Sequence, residues 1–277
     1  MIPLTFAENN AFLTDTNGAT ALVVYIDLVR NSRFMDYPFA FLICLFVVGF
    51  VYASVGHGGA SGYLATMALF GIAPALAKPS ALILNLFVST ISFIQFYRAG
   101  YFRWNTFWPF AIASIPLAFL GARIPLSDTL YRQLLAVCLL LVVVRLLWTI
   151  RGREEETRPI PLGGGLLTGG VIGLLSGMIG MGGGIILSPL MLLFRWAGLK
   201  EVAATSALFI FVNSLSGLFG LLIKGYSPDP MLYGWIGAAF AGGILGGYFG
   251  SHRFNVPTLR YMLAFGVGVA CVKLIFT

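Results

Sequence analysis

Charge is what this chain has least of. Asp, Glu, Lys and Arg make up 10% of its 277 residues, against 58% hydrophobic side chains. A soluble domain carries roughly 25% charged and about 45–50% apolar residues. A soluble fold must still solvate its surface, so a large core does not explain the deficit. The composition is that of an integral membrane protein, and no long polar stretch remains for a soluble domain. Cysteine is scarce as well. Cys44, Cys138 and Cys271 all fall inside apolar runs. Their spacing suits neither a disulfide framework nor a metal site, so they read as small buried hydrophobes. No cofactor or metal is expected. Acids are missing where they would matter most, because no Asp or Glu lies well inside an apolar run. Cation carriers and carboxylate proton relays place one there. What remains is an anionic or neutral substrate. The first basic residue is Arg30, so a cleavable signal peptide is not expected.

The net charge is +7. In a soluble protein such a balance would suggest nucleic acid. Here the basic residues stand singly at the ends of apolar runs, which makes them topology signals and excludes nucleic acid as a partner. The loops 98–104, 145–158, 195–200 and 253–260 share one side and hold Arg98, Arg103, Arg145, Arg151, Arg153, Arg158, Arg195, Lys200, Arg253 and Arg260. The positive-inside rule makes that side cytoplasmic and puts both termini outside.

The chain divides into an N-terminal segment (1–36), a first membrane repeat (37–150), a charged linker (151–161) and a second membrane repeat (162–277). The N-terminal segment has one apolar patch, 21–26, too short to span and suited to the interface or to packing on the bundle. The apolar segments of the first repeat are 37–56, 60–72, 79–97, 105–122 and 130–149. Those of the second are 162–180, 184–197, 204–223, 231–250 and 258–276. A full span takes roughly 20 residues, so 60–72 and 184–197 are short and read as half-helices or re-entrant arms.

Each short segment follows a glycine motif. Gly56-His57-Gly58-Gly59-Ala60 recurs 124 positions later as Gly180-Met181-Gly182-Gly183-Gly184. Gly49 matches Gly173, Ser80-Ala81 matches Ser206-Ala207, Gly100-Tyr101 matches Gly225-Tyr226, and Arg132 and Arg145 match Arg260 and Lys273. The halves are therefore a duplication. Five segments per half is an odd number, so if all five cross, or if the first two form a re-entrant hairpin, the second half is inverted relative to the first. The fold class is an all-α integral membrane protein of two inverted repeats, with helices broken or re-entrant at the paired glycines.

A helix broken inside the membrane exposes N–H groups at the start of the next helix, and these favour an anion. The starts at Gly58–Ser61 and Gly182–Ile185 would face each other across a pseudo-two-fold axis. Glycine also permits tight helix crossing, the reading that suits Gly242-Gly243 and Gly246-Gly247. Binding is favoured at the paired breaks because they align across the repeat and precede short helices. His57 is the titratable group at the first break. It is a substrate ligand, a proton-exchanging group or a hydrogen-bonded packing residue, and its counterpart is Met181. Ser80 and Thr205-Ser206 open their segments, as N-caps or as hydroxyl donors to the site. Asn85 and Asn213, one to two turns further on, need a partner in another helix or in the substrate. Lys78 reads as snorkelling to the interface. Gly59-Ala60-Ser61-Gly62 matches the GxSG of intramembrane serine proteases. The second copy has Ile185 for Ser61 and Met181 for His57, and no third group is in place to hold a base, which argues against a nucleophile.

The paired blocks Gly49 to Gly59 (Gly-Phe-Val-Tyr-Ala-Ser-Val-Gly-His-Gly-Gly) and Gly173 to Gly184 (Gly-Leu-Leu-Ser-Gly-Met-Ile-Gly-Met-Gly-Gly-Gly) resemble the TauE/SafE family of sulfite and sulfonate exporters. So do Ala204 to Phe209 (Ala-Thr-Ser-Ala-Leu-Phe) and the endings Gly100-Tyr101 and Gly225-Tyr226. The resemblance covers about residues 38 to 277. It implies a multi-pass carrier of the bacterial inner membrane, not an enzyme, that moves a small sulfur-containing anion such as sulfite, sulfoacetate or another organosulfonate. The substrate-binding residues expected are Gly56, His57, Gly58, Gly59, Ser61, Ser80, Asn85, Gly180, Gly182, Gly183, Gly184, Thr205, Ser206 and Asn213. The partners are the anion and the lipid bilayer, with proton coupling left open. A passive anion channel would share the same cradle.

Overall fold

The computed structural model describes residues 38–127 and 157–253, with isolated positions at 129, 130, 133, 134, 137, 140 and 261. Segment 1–36, most of the charged linker, and the expected fifth segments 130–149 and 258–276 lie outside the described residues, isolated positions aside. Among the described residues there are eight helices and no strand: α1 Pro38–Ser54, α2 Ala60–Leu69, α3 Pro74–Arg98, α4 Trp104–Arg123, α5 Leu162–Ile179, α6 Gly184–Leu193, α7 Leu199–Leu222 and α8 Leu232–His252. Five of them, α3, α4, α5, α7 and α8, are long and apolar enough to cross a membrane.

The glycine motifs do break the helices. At the end of α1, Gly56 N–H bonds Ala53 O (3.1 Å) and His57 N–H bonds Tyr52 O (2.9 Å). This is a closing turn that needs a left-handed residue, and Gly56 supplies it at φ 77°. Gly180, at φ 86°, does the same for α5, where Met181 N–H reaches back to Ser176 O (3.3 Å). The short helices then fold back along the helices before them. Gly62 lies against Val48 and Tyr52, and the Phe70 ring meets Phe41 with centroids 5.1 Å apart. In the second half Gly183 lies against Ile172 and Ser176, and Arg158 N–H bonds Arg195 O (2.7 Å). Each pair, α1–α2 and α5–α6, is thus a helical hairpin.

The packing repeats as the sequence does. α1 lies on α8 as α5 lies on α4, α3 on α8 as α7 on α4, and α2 on α3 as α6 on α7. Glycine stripes make the closest of these contacts. A methyl group on Gly242, Gly246 or Gly250 would strike the carbonyls of Phe46, Phe50 or Ser54. One on Gly169, Gly173 or Gly177 would strike those of Phe110, Ser114 or Ala118. Glycine every fourth residue lets two backbones touch without a hydrophobic driving force, which lipid does not supply. Gly242 and Gly246 are packing glycines, as expected, and Gly243 and Gly247 face Val88 and Gln95 of α3.

α3 and α7 cross at the centre and run antiparallel. Asn85 meets Ser214, a methyl on Gly217 would lie 3.5 Å from Leu82, and Phe96 clusters with Ala203 and Ala204. Both helices begin earlier than the sequence suggested, at residue 74 instead of 79 and at 199 instead of 204. Pro79 lies inside α3. The carbonyl it leaves unpaired is that of Ala75, an exposed residue near the helix start, where the loss is tolerated. Ser80, Thr205 and Ser206 are consequently not caps. The N-cap positions are Ala73 and Gly198.

Both ends of the bundle carry cations held by hydrogen-bond or ion-pair partners. At one end Lys78 is half-buried, and its Nζ donates to Ala122 O (3.3 Å) at the C-terminus of α4. Lys224 Nζ donates to Arg123 O there. These lysines cap the negative end of that helix. At the other end Glu201, in the first turn of α7, accepts from Thr106 and pairs with Arg103 at 3.7 Å. Lys200 donates to Tyr101 OH (2.9 Å).

Candidate substrate site

The two breaks meet around the midpoints of α3 and α7. A Cβ on Gly58 would stand 2.5 Å from Asn85 Oδ1 and 2.9 Å from Ile210 Cγ2. One on Gly182 would stand 2.7 Å from Asn85 Nδ2 and 2.8 Å from the same Ile210 carbon. One amide and one isoleucine methyl therefore lie between the glycines of both repeats. The Asn85 side chain is fully buried and spans the junction. Its Oδ1 accepts from Ala60 N–H, the first residue of α2, at 2.9 Å. Its Nδ2 donates to Ser214 Oγ at 3.2 Å. The N-caps of α2 and α6 are the glycines Gly59 and Gly183, which bring no capping side chain. The N-terminus of α2 faces the carbonyl oxygen of Asn85, whereas Gly184, at the start of α6, faces Ile210.

His57 ties the halves together. Its Nδ1 lies 2.9 Å from Val55 O, and a carbonyl there fixes the proton on Nδ1. Its Nε2 then accepts from Ser188 Oγ at 3.0 Å. Ser188 lies 2.6 Å from Ser206 Oγ and 2.9 Å from Gly184 O. A His57 protonated on both nitrogens would donate to Ser188, whose hydroxyl would turn to Gly184 O.

The other expected residues divide. Gly56 packs on Ala203, and Gly180 on Lys78. Ser61 turns to α1, where its hydroxyl donates to Tyr52 OH (2.9 Å). It is therefore not paired with His57, whose Nε2 is on Ser188. Ser80 donates to Leu76 O (2.7 Å) of its own helix. Thr205 is fully buried with no partner for its Oγ1. Asn213 donates to Phe209 O (2.8 Å) of its own helix. It does not mirror Asn85, and Ile210 stands in that place. Sequence reasoning missed Ser188, Ser214 and Ser92. The Ser92 hydroxyl reaches Ala53 O (3.2 Å) at the open end of α1. Hydroxyls inside otherwise apolar helices were the available signal.

Five helices long enough to span, together with two glycine breaks at a buried polar centre, define a multi-pass membrane protein. The family model described as Sulfite exporter TauE/SafE matches residues 41–274, and the chain belongs to that family. It is 36% identical over 238 residues to a probable membrane transporter protein, y4hK, of Sinorhizobium fredii, covering 84% of this chain and 96% of that protein. It is 34% identical over 76 residues to a probable membrane transporter protein, YunE, of Bacillus subtilis, covering 27% and 28%. No solved structure matches.

Proposed function

We propose that this chain is a secondary transporter that exports a small sulfur-containing anion across the bacterial inner membrane. Sulfite, sulfoacetate and other organosulfonates are the candidates. One observation carries the reading: the breaks bring the starts of α2 and α6 to one buried point, and a side-chain oxygen already sits on the first N–H of α2. An anion oxygen has the same need for a donor and gains more from the helix dipole. Arriving there, it would displace the Asn85 oxygen and leave Nδ2 to donate. The buried polar side chains among the described residues are hydroxyls, amides and one imidazole, with no carboxylate, which suits an anion.

The antiparallel crossing of α3 and α7 supports an inverted repeat, with α1–α2 and α5–α6 as re-entrant arms. Transport is then a rocking of one repeat against the other about the centre. Proton exchange at His57 would couple that motion to a pH gradient, through the hydroxyl reversal at Ser188. Purified protein in proteoliposomes is expected to give saturable sulfite or sulfonate flux, stimulated by substrate on the far side and altered by an imposed pH gradient. Absence of saturable flux contradicts the carrier. Flux without trans-stimulation identifies a channel instead.

A further inference from the structure

Tyr63 is wholly buried, yet its hydroxyl has no partner among the described residues. A buried donor without an acceptor destabilises a fold and asks for an explanation. Ser89, Ser176 and Thr205 also hold unpartnered hydroxyls, but a short hydroxyl on a helix can rotate onto the carbonyl one turn back. A phenol is too long to do so. Tyr226, the other unpartnered phenol, lies in the turn after α7, away from the breaks.

The helix turns Tyr63 back over its own N-terminus. Side chains tilt toward the N-terminus of their helix, and a long one covers the turn before it. Tyr63 stands four residues after Gly59, the N-cap of α2, and its own N–H bonds Gly59 O (2.9 Å). The phenol lies over that glycine: a Cβ there would meet Cζ at 2.8 Å and the hydroxyl at 2.9 Å. Tyr52 stands nearby. Its oxygen accepts from Ser61, so its own proton remains to be given. At the matching positions of the second repeat stand Leu187 for Tyr63, Ser176 for Tyr52 and Ile185 for Ser61.

We propose that Tyr63 and Tyr52 are substrate-binding donors. Their phenol protons, with the N-terminus of α2, hold the oxygens of the sulfite or sulfonate headgroup. The site is then oriented. The headgroup seats on the first repeat, and the apolar side of Ile185 and Ile210 faces the remainder of the molecule. This rests on the anion-carrier reading.

Binding of sulfite and of methanesulfonate to detergent-purified protein tests it, by calorimetry and by thermal stabilisation. Tyr63→Phe is expected to bind both at least tenfold more weakly, with ligand-free stability unchanged or raised, because the lost hydroxyl has no partner. Tyr52→Phe, which also strips Ser61 of its acceptor, weakens binding as well. Wild-type affinity in Tyr63→Phe overturns the proposal alone and leaves the carrier standing. So does a fall in ligand-free stability or a failure to fold, either of which would reveal a structural partner. A wild-type protein that binds neither anion overturns both.

Discussion

Gly182→Ala is expected to abolish transport and to lower thermal stability, and Gly58→Ala to do less. Gly182 holds φ 71°, a left-handed conformation that costs a residue with a Cβ roughly 1–2 kcal/mol. The added methyl would also stand 2.7 Å from Asn85 Nδ2, 2.8 Å from Ile210 Cγ2 and 2.9 Å from Ser214 Oγ. Forcing a methyl into a packed site adds about 1–3 kcal/mol. Gly58 is not among the left-handed glycines, so alanine there meets only the steric cost, against Asn85 and Ile210. The order of the two variants in unfolding temperature, with flux below a tenth of wild type for Gly182→Ala, is the readout. Equal, wild-type-like behaviour would mean that the breaks are spacers and not a site.

Asn85→Leu is expected to destabilise the protein by about 2–6 kcal/mol, since it strands the Ala60 N–H and the Ser214 hydroxyl in the interior at roughly 1–3 kcal/mol each. Flux should fall to background with it. Asn85→Asp separates the two roles. Its oxygen can still accept from Ala60 N–H, so folding is retained, but its charge stands where the anion must arrive. A folded Asn85→Asp protein without sulfite flux is the predicted outcome. Full flux in either variant would remove Asn85 from the site.

Much of this fold is legible in the sequence because its signals are local. The shortage of charge marks the membrane, and helix-ending glycines mark the breaks at Gly56 and Gly180 wherever they occur in an apolar run. The start of α3 is marked by Pro74 in its first turn and is easily missed because Pro79 also looks like a first turn; the exposure of Ala75 shows why the helix can carry Pro79 inside it. The site is legible at its backbone and blurred at its side chains. The offset between halves is 124 residues at the glycines, 126 at Ser80 and 125 at Gly100. That slippage blurs which residue of α7 is the counterpart of Asn85: Asn213 is chosen by its chemistry, but Ile210 stands in the corresponding place beside Gly58 and Gly182. The contact of His57 with Ser188 crosses the two repeats, and no spacing along the chain announces it. Tyr63 reads as one more aromatic in an apolar helix until its hydroxyl is found without a partner.

The most direct test of the account is an experimental structure of the protein with sulfite or a sulfonate bound. The prediction is anion density between Gly58 and Gly182, its oxygens within hydrogen-bonding distance of the Ala60 N–H and the Tyr63 hydroxyl, with Asn85 Oδ1 displaced. Density confined to the lysines at the C-terminus of α4, with Asn85 still on Ala60, would contradict it.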